Sequence, residues 1–273
     1  MRRPQSAAPI ALLTDFGYRD HYAGAMKGVL ASIAPDAALL DITHGVPPQS
    51  IAAGAIALRE SWRFFPRRTV FLAVVDPGVG TSRLPIAVET RAGARFVGPD
   101  NGVLSLAVRD AGFSRAVRLE STRHRLGKLS STFHGRDIFA PAAAFLSRGT
   151  PLGSLGSRLV RIRHLYLPKP DGTTGAIRGE VLYVDAFGNL ITNISRKDIA
   201  RLHSSFPDKQ VSVRIRGGAP MKIVNTYGEA RSGAILATFG SFELLEIAVR
   251  DASAATRLGC GVGATVVARM ARS

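Results

Sequence analysis

The segment Thr69 to Val75 (TVFLAVV) constrains the fold more than any other part of the chain. It is an unbroken β-branched and apolar run, entered after Pro66 and left at once through Asp76-Pro77-Gly78. A strand with one wet face alternates polar and apolar residues. A continuous run fits a strand covered on both faces, as in a parallel sheet packed between helices. The neighbouring sequence agrees. Pro9 to Leu13 is a second short apolar run, ending at Thr14-Asp15-Phe16-Gly17. Met26, Val29, Leu30 and Ile33 then share a helical face, stopped at Pro35. Ala38 to Thr43 reads as the next strand. Pro47-Pro48 opens a helix running through Ile51, Ile56 and Trp62 and halting at Pro66. Ile86 to Thr90 and Arg95 to Val97, separated by Arg91-Ala92-Gly93-Ala94, read as a hairpin. Helices are expected at Leu104 to Asp110 and Asp137 to Ser147. Strands alternating with helices predict a layered α/β domain.

The pattern changes near Tyr166. Leu167 to Thr174 (LPKPDGTT) has two prolines, a glycine and no apolar periodicity, and reads as a linker. Beyond it strands dominate: Glu180 to Asp185, Gln210 to Ile215, Met221 to Asn225, Ala234 to Thr238 and Thr265 to Ala268. The reading is an N-terminal α/β domain over residues 1–166, a linker over 167–178, and a smaller all-β, barrel-like domain over 179–273.

Composition narrows the function classes. With 46% hydrophobic and 21% charged residues in 273, the chain is globular and long enough for a substantial core. The longest uncharged stretch, Ile42 to Leu58, contains His44, two prolines and Gln49, so no membrane span is expected. The N-terminal apolar stretch is interrupted by Asp15 and makes a poor signal peptide. One cysteine, Cys260, excludes a disulfide framework and a Cys-rich zinc site. A cytoplasmic enzyme fits these features. The net charge of +16 admits nucleic acid as a partner. Yet only six of the 36 basic residues are lysine, and the arginines are scattered without a recognisable nucleic-acid module. They read as a solvated surface.

Three polar loop clusters carry candidate chemistry, and in open α/β sheets ligands bind beyond the carboxyl ends of the strands. Asp15, at a strand end, suits two hydrogen bonds to a vicinal diol such as a ribose, and equally a helix cap. Asp76 to Arg83 (DPGVGTSR) offers a carboxylate and a guanidinium in one glycine-rich loop, as a ligand site or a structural pair. It lacks the G-x-x-x-x-G-K-[ST] pattern of a phosphate loop. Ser131 to Asp137 (STFHGRD) sets His134 ahead of a helix opening at about Asp137, whose carboxylate suits a cap. His134 is there a structural hydrogen-bonder or a catalytic group. Gly98-Pro99-Asp100-Asn101-Gly102 and Asp185-Ala186-Phe187-Gly188-Asn189 fit turn chemistry as well as a site.

Seven motifs in order carry a resemblance: LLTDFG (Leu12 to Gly17), DITHGVPP (Asp41 to Pro48), FLAVVDPGVGTSR (Phe71 to Arg83), FVGPDNGVLSL (Phe96 to Leu106), STFHGRDIFAPAAA (Ser131 to Ala144), GEVLYVDAFGNLITNI (Gly179 to Ile194) and GSFELLEIAV (Gly240 to Val249). Together they resemble the adenosine-forming S-adenosyl-L-methionine hydrolases, relatives of the fluorinase and chlorinase. The likeness covers about residues 9 to 270.

The resemblance implies conversion of S-adenosyl-L-methionine and water to adenosine and L-methionine, with no cofactor and no metal. It implies a homotrimer whose active sites lie between one subunit's N-terminal domain and a neighbour's C-terminal domain. It assigns Asp76, Arg83 and His134 to the attacking water or hydroxide, and Asp15 to the ribose hydroxyls. Phe187 and Asn189 match adenine-side positions, and Asp185 a residue that meets the methionine amine. Ser241, Glu246 and Val249 match the segment lining the rest of the substrate. Halogenases lack the charged set, because a carboxylate beside the attack point repels a halide. All three residues are present here, which points to the hydrolase branch. The competing expectations are a 5′-halogenase and an adenosine or S-adenosylmethionine sensor with little turnover.

Overall fold

The computed structural model describes residues 6–205 and 209–270. The chain divides into two compact units, Met1–Leu165 and Tyr166–Ser273. The first contains β1 (Ile10–Thr14), α1 (Tyr22–Ile33), β2 (Leu39–Thr43), α2 (Ile51–Ser61), β3 (Val70–Val74), β4 (Pro85–Thr90), β5 (Arg95–Pro99), α3 (Ser105–Ala111), β6 (Phe113–Arg118), α4 (Ala140–Ser147) and β7 (Arg158–Leu159).

These strands form one sheet in the order β2-β1-β3-β5-β4-β6-β7. β2, β1, β3 and β5 run parallel, with Leu12 opposite Leu72 and Leu72 opposite Val97. β4 pairs antiparallel with both β5 and β6, so the expected hairpin is present. Every residue of β1 and β3 is buried. Leu12, Leu72 and Val97 pack with Met26 and Leu30 of α1 and Ala140 of α4. On the other face, α2 brings Gly54 against Val75 and Leu13, so close that even a Cβ there would crowd Val75. Alternate residues of one strand thus serve two helical layers, which is why the strand sequence is apolar throughout.

Three local expectations change. Pro47 and Pro48 lie ahead of α2, whose N-cap is Ser50, with its hydroxyl accepting the Ala53 N–H at 3.4 Å. Asp15 caps no helix, since α1 starts at Tyr22 after His21. Asp137 is not a cap either. His134 precedes a π-helical turn, Gly135–Phe139, that runs directly into α4, and Asp137 is buried within it. Its carboxylate accepts the Ser130 N–H at 2.6 Å and pairs with Arg136 at 2.6 Å, pinning the preceding loop.

The second unit contains β8 (Asp171–Thr173), β9 (Ala176–Val184), β10 (Leu190–Ser195), α5 (Arg196–Ser204), β11 (Val211–Ile215), β12 (Met221–Lys222), β13 (Ile235–Phe239), β14 (Leu244–Val249), α6 (Ala254–Leu258) and β15 (Thr265–Met270). Its sheet runs β12-β11-β15-β9-β10-β14-β13, with β8 added to β9. Within 167–178, read from the sequence as linker, β8 pairs with the start of β9. β9 bends across the unit, pairing β15 through residues 176–180 and β10 through 181–184. Ile223 bridges Ala237, so the β12 edge meets the β13 edge and the sheet nearly closes into a barrel. Val181, Leu190, Val213, Leu245, Ile247 and Val266 fill its interior. Among the described residues, no helix is long and apolar enough to cross a membrane.

Candidate active site

The topology fixes where a site belongs in the first unit. From β1 the chain crosses to β2 on one side, then returns to β3 on the other. The carboxyl ends of β1 and β3 therefore flank a switch point, where a crevice opens. Thr14 ends β1 and hands on to Asp15; Val74 ends β3 and leads through Val75 to Asp76. Both carboxylates and His134 line a cleft of about 360 Å³ there.

The loop after β3 doubles back. Val79 and Thr81 donate their N–H groups to the Asp76 and Gly78 carbonyls at 3.2 and 3.1 Å. Gly80 takes φ +79°, a conformation that favours glycine, and a Cβ there would lie 3.2 Å from the Ser131 carbonyl oxygen. The turn returns Arg83 to Asp76. Arg83 Nε donates to Asp76 Oδ1 at 2.8 Å, and Nη2 donates to Oδ2. The two side chains are almost wholly buried, at 5% and 7% exposure, and the guanidinium lies over the Phe139 ring. Nη2 also donates to His134 Nδ1 at 3.0 Å. A guanidinium only donates, so Nδ1 is the acceptor and the neutral imidazole carries its proton on Nε2. Burial, then the Arg83 charge, lowers the His134 pKa, with Asp76 and Asp137 opposing. The three residues singled out from two loops thus form one hydrogen-bonded group.

Asp15 is partly exposed, and its Oδ2 accepts the Gln49 N–H at 2.8 Å. Gln49 stands at φ +64°, a strained conformation for a residue with a Cβ. Phe16, Tyr22 and Phe133 form an aromatic cluster beside these groups, with ring centroids 5.1 to 6.0 Å apart. Sequence patterning carries no signal for Gln49, because its contribution is a backbone N–H.

The second unit has its own pocket, about 770 Å³, lined by all six of its expected site residues: Asp185, Phe187, Asn189, Ser241, Glu246 and Val249. Asp185 Oδ1 accepts the N–H groups of Phe187 and Asn189 at 2.9 and 2.8 Å, and Oδ2 accepts Asn189 Nδ2 at 3.0 Å. Its carboxylate therefore builds the β9–β10 turn and also lines the pocket. Phe187 is 80% exposed at the tip of that turn. Glu246 is buried and accepts the Tyr227 hydroxyl. Burial pushes the Glu246 carboxyl up, and the nearby Asp185 adds to the effect against the Tyr227 hydrogen bond. Burial and the Glu246 hydrogen bond raise the Tyr227 pKa in turn. Tyr227, on a short 3₁₀ turn, lines the same pocket and escapes sequence patterning.

Residues 10–156 match the family of SAM hydroxide adenosyltransferase N-terminal domains, and residues 179–267 match the corresponding C-terminal domains. The chain belongs to the SAM hydroxide adenosyltransferase family. An (R)-S-adenosyl-L-methionine hydrolase from Thermus thermophilus is 40% identical over 94% of this chain and 98% of its own. A fluorinase from Nocardia brasiliensis is 28% identical over 94% of this chain and 95% of its own. The crystal structure of an uncharacterized conserved protein from Thermotoga maritima superposes with a TM-score of 0.87 at 38% identity, covering 95% of this chain and 99% of that one. The family's two-part organisation accounts for the α/β unit and for the second unit, whose near-closed sheet carries two helices, α5 and α6, that the all-β expectation lacked.

Proposed function

We propose that this family member hydrolyses S-adenosyl-L-methionine to adenosine and L-methionine by attack of water on the ribose 5′ carbon. The observation that carries this reading is the Asp76–Arg83–His134 group, with its ion pair buried, beside Asp15 in a cleft at the switch point. The 40% identity to an (R)-S-adenosyl-L-methionine hydrolase over nearly the whole of both chains supports it.

The chemistry asks little of the leaving side. As the oxygen–C5′ bond forms, the C5′–sulfur bond breaks and its electron pair returns to sulfur. The sulfonium leaves as a neutral thioether, so neither a general acid nor a metal is called for there. The weak point is the nucleophile, which must be held in line with the C–S bond. Orientation of a bound reactant removes up to about 7–11 kcal/mol in ideal cases. In this reading the Nε2–H of His134 and the Arg83 guanidinium hold the water oxygen and stabilise its developing hydroxide character. Asp76 takes the water proton. Its two oxygens offer about four lone-pair sites, of which Arg83 uses two. Such a transfer contributes roughly 10²–10⁴-fold. A halide at the same point would face the Asp76 carboxylate.

Asp15 receives the ribose diol through the acceptor capacity that Gln49 leaves unused. The second unit's acidic pocket suits the cationic substrate, with Asp185 meeting the methionine amine, Phe187 and Asn189 the adenine, and Ser241, Glu246 and Val249 the remainder. The functional form proposed is a cytoplasmic homotrimer without metal or cofactor, so activity should depend on assembly. The test is incubation with S-adenosyl-L-methionine, with and without chloride, while adenosine and methionine are followed. Equal amounts of both, unchanged by chloride, are expected. Chlorinated nucleoside, or nucleoside binding without methionine release, would overturn the reading.

A further inference from the structure

We propose that Thr14 and His44, both buried, form with Asp41 a relay that positions the diol-binding carboxylate of Asp15. The inference rests on the reading above that Asp15 meets a ribose. Asp15 sits on a short loop, and among the described residues its side chain is held by a single backbone N–H, that of Gln49. A carboxylate that must meet two vicinal hydroxyls needs its loop held from elsewhere.

The hold comes from behind. Thr14 Oγ1 lies 2.8 Å from His44 Nδ1 and accepts the Phe16 N–H at 3.2 Å. His44 Nε2 lies 3.1 Å from Asp41 Oδ1. Asp41 Oδ2 accepts the Tyr18 hydroxyl at 2.6 Å and the Lys27 ammonium at 2.7 Å. With those donors Asp41 is an ionised acceptor, so Nε2 carries the ring proton. Nδ1 must then accept from the Thr14 hydroxyl, which leaves the Thr14 oxygen to accept from Phe16. The donations run one way, from Phe16 through Thr14 and His44 to Asp41. Desolvation keeps His44 neutral against the pull of Asp41, as this arrangement requires.

The backbone repeats the link. Gly17 donates its N–H to the His44 carbonyl at 2.7 Å, and Val46 donates to the Thr14 carbonyl at 3.3 Å. Both sides of Thr14-Asp15-Phe16-Gly17 are therefore fastened to the segment that carries Gln49. Thr14 and His44 are 0% and 1% exposed, so neither touches a ligand. They are positioning residues that act through Asp15.

The experiment compares binding of adenosine and 2′,3′-dideoxyadenosine by calorimetry to the whole protein and its variants. The wild type should prefer adenosine by about tenfold or more, the worth of hydrogen bonds to a charged group. Asp15→Asn should collapse that preference. Thr14→Val, which is isosteric but lacks the hydroxyl, should bring it within about threefold of unity, whereas Thr14→Ser should retain it, since only Ser keeps the relay's hydroxyl. A role in stability alone would leave the ratio unchanged in every folded variant. His44→Leu should act like Thr14→Val; should it fail to fold, Thr14→Val decides. No preference, or no binding, in the wild type overturns the ribose reading itself. A wild-type ratio in folded Thr14→Val, with Asp15→Asn affected, overturns the relay alone.

Discussion

Arg83 Nη2 donates to His134 Nδ1 across 3.0 Å, and this contact decides how the imidazole serves the site. Protonation at Nδ1 would set two donors against each other, so the arrangement exists only while His134 is neutral. Burial and the Arg83 charge lower its pKa, which favours that form at neutral pH. Activity should be full above the ordinary histidine value of about 6.5 and fall as the solution is acidified past the lowered value. A pH profile of turnover over the range of folded protein checks this. A loss that sets in on the alkaline side of 6.5 would contradict the assignment.

The Asp76–Arg83 pair makes a second prediction. Lysine replaces the two-pronged guanidinium by a point charge, so Arg83→Lys cannot hold both Asp76 oxygens and His134. Turnover should drop by about 10²–10³-fold, the cost of a lost preorganised donor. Arg83→Ala leaves Asp76 buried and unpaired and should destabilise the protein by about 3–5 kcal/mol, read by urea unfolding. Adding Asp76→Ala should recover part of that loss.

The sequence announces these residues more clearly than their neighbours. The burial of β1 and β3 on both faces leaves unbroken apolar runs, and the polar residues that end them fall at the switch point. β10 is hidden because it buries Thr192 and Asn193, whose side chains are satisfied by the Leu245 carbonyl and by the Glu180 N–H. β14 is hidden in the same way by Glu246, partnered by Tyr227. α5 is nine residues long and largely polar, with only Ile199 and Leu202 buried, so its apolar face is confined to two positions. Asp137 fits a cap by residue type, but the π-turn carries it into the interior, where it fastens Ser130. The relay from Thr14 to His44 spans 30 positions, a pairing no local pattern reveals.

Gly188 tests the turn that Asp185 builds. It holds φ +81°, and a Cβ there would come within 2.1 Å of Ser253 Oγ. Gly188→Ala should cost about 1–3 kcal/mol in urea unfolding. Adding Ser253→Gly should restore only part, because the backbone strain remains.

Tyr227 donates to the buried carboxylate of Glu246 in the second unit's pocket. Tyr227→Phe keeps the ring and removes the donor. If this pocket binds substrate away from the reacting carbon, KM for S-adenosyl-L-methionine should rise by about tenfold, what one hydrogen bond to a charged group supplies, with kcat nearly unchanged. Steady-state kinetics separate this from a loss confined to kcat, which would contradict a binding role.

The measurement that bears most directly on the central claim is product analysis after turnover of S-adenosyl-L-methionine in ¹⁸O-labelled water. Attack of water on the 5′ carbon predicts one labelled oxygen in the 5′-hydroxyl of each adenosine and none in methionine. Unlabelled adenosine, label in methionine, or a halogenated nucleoside in its place would contradict it.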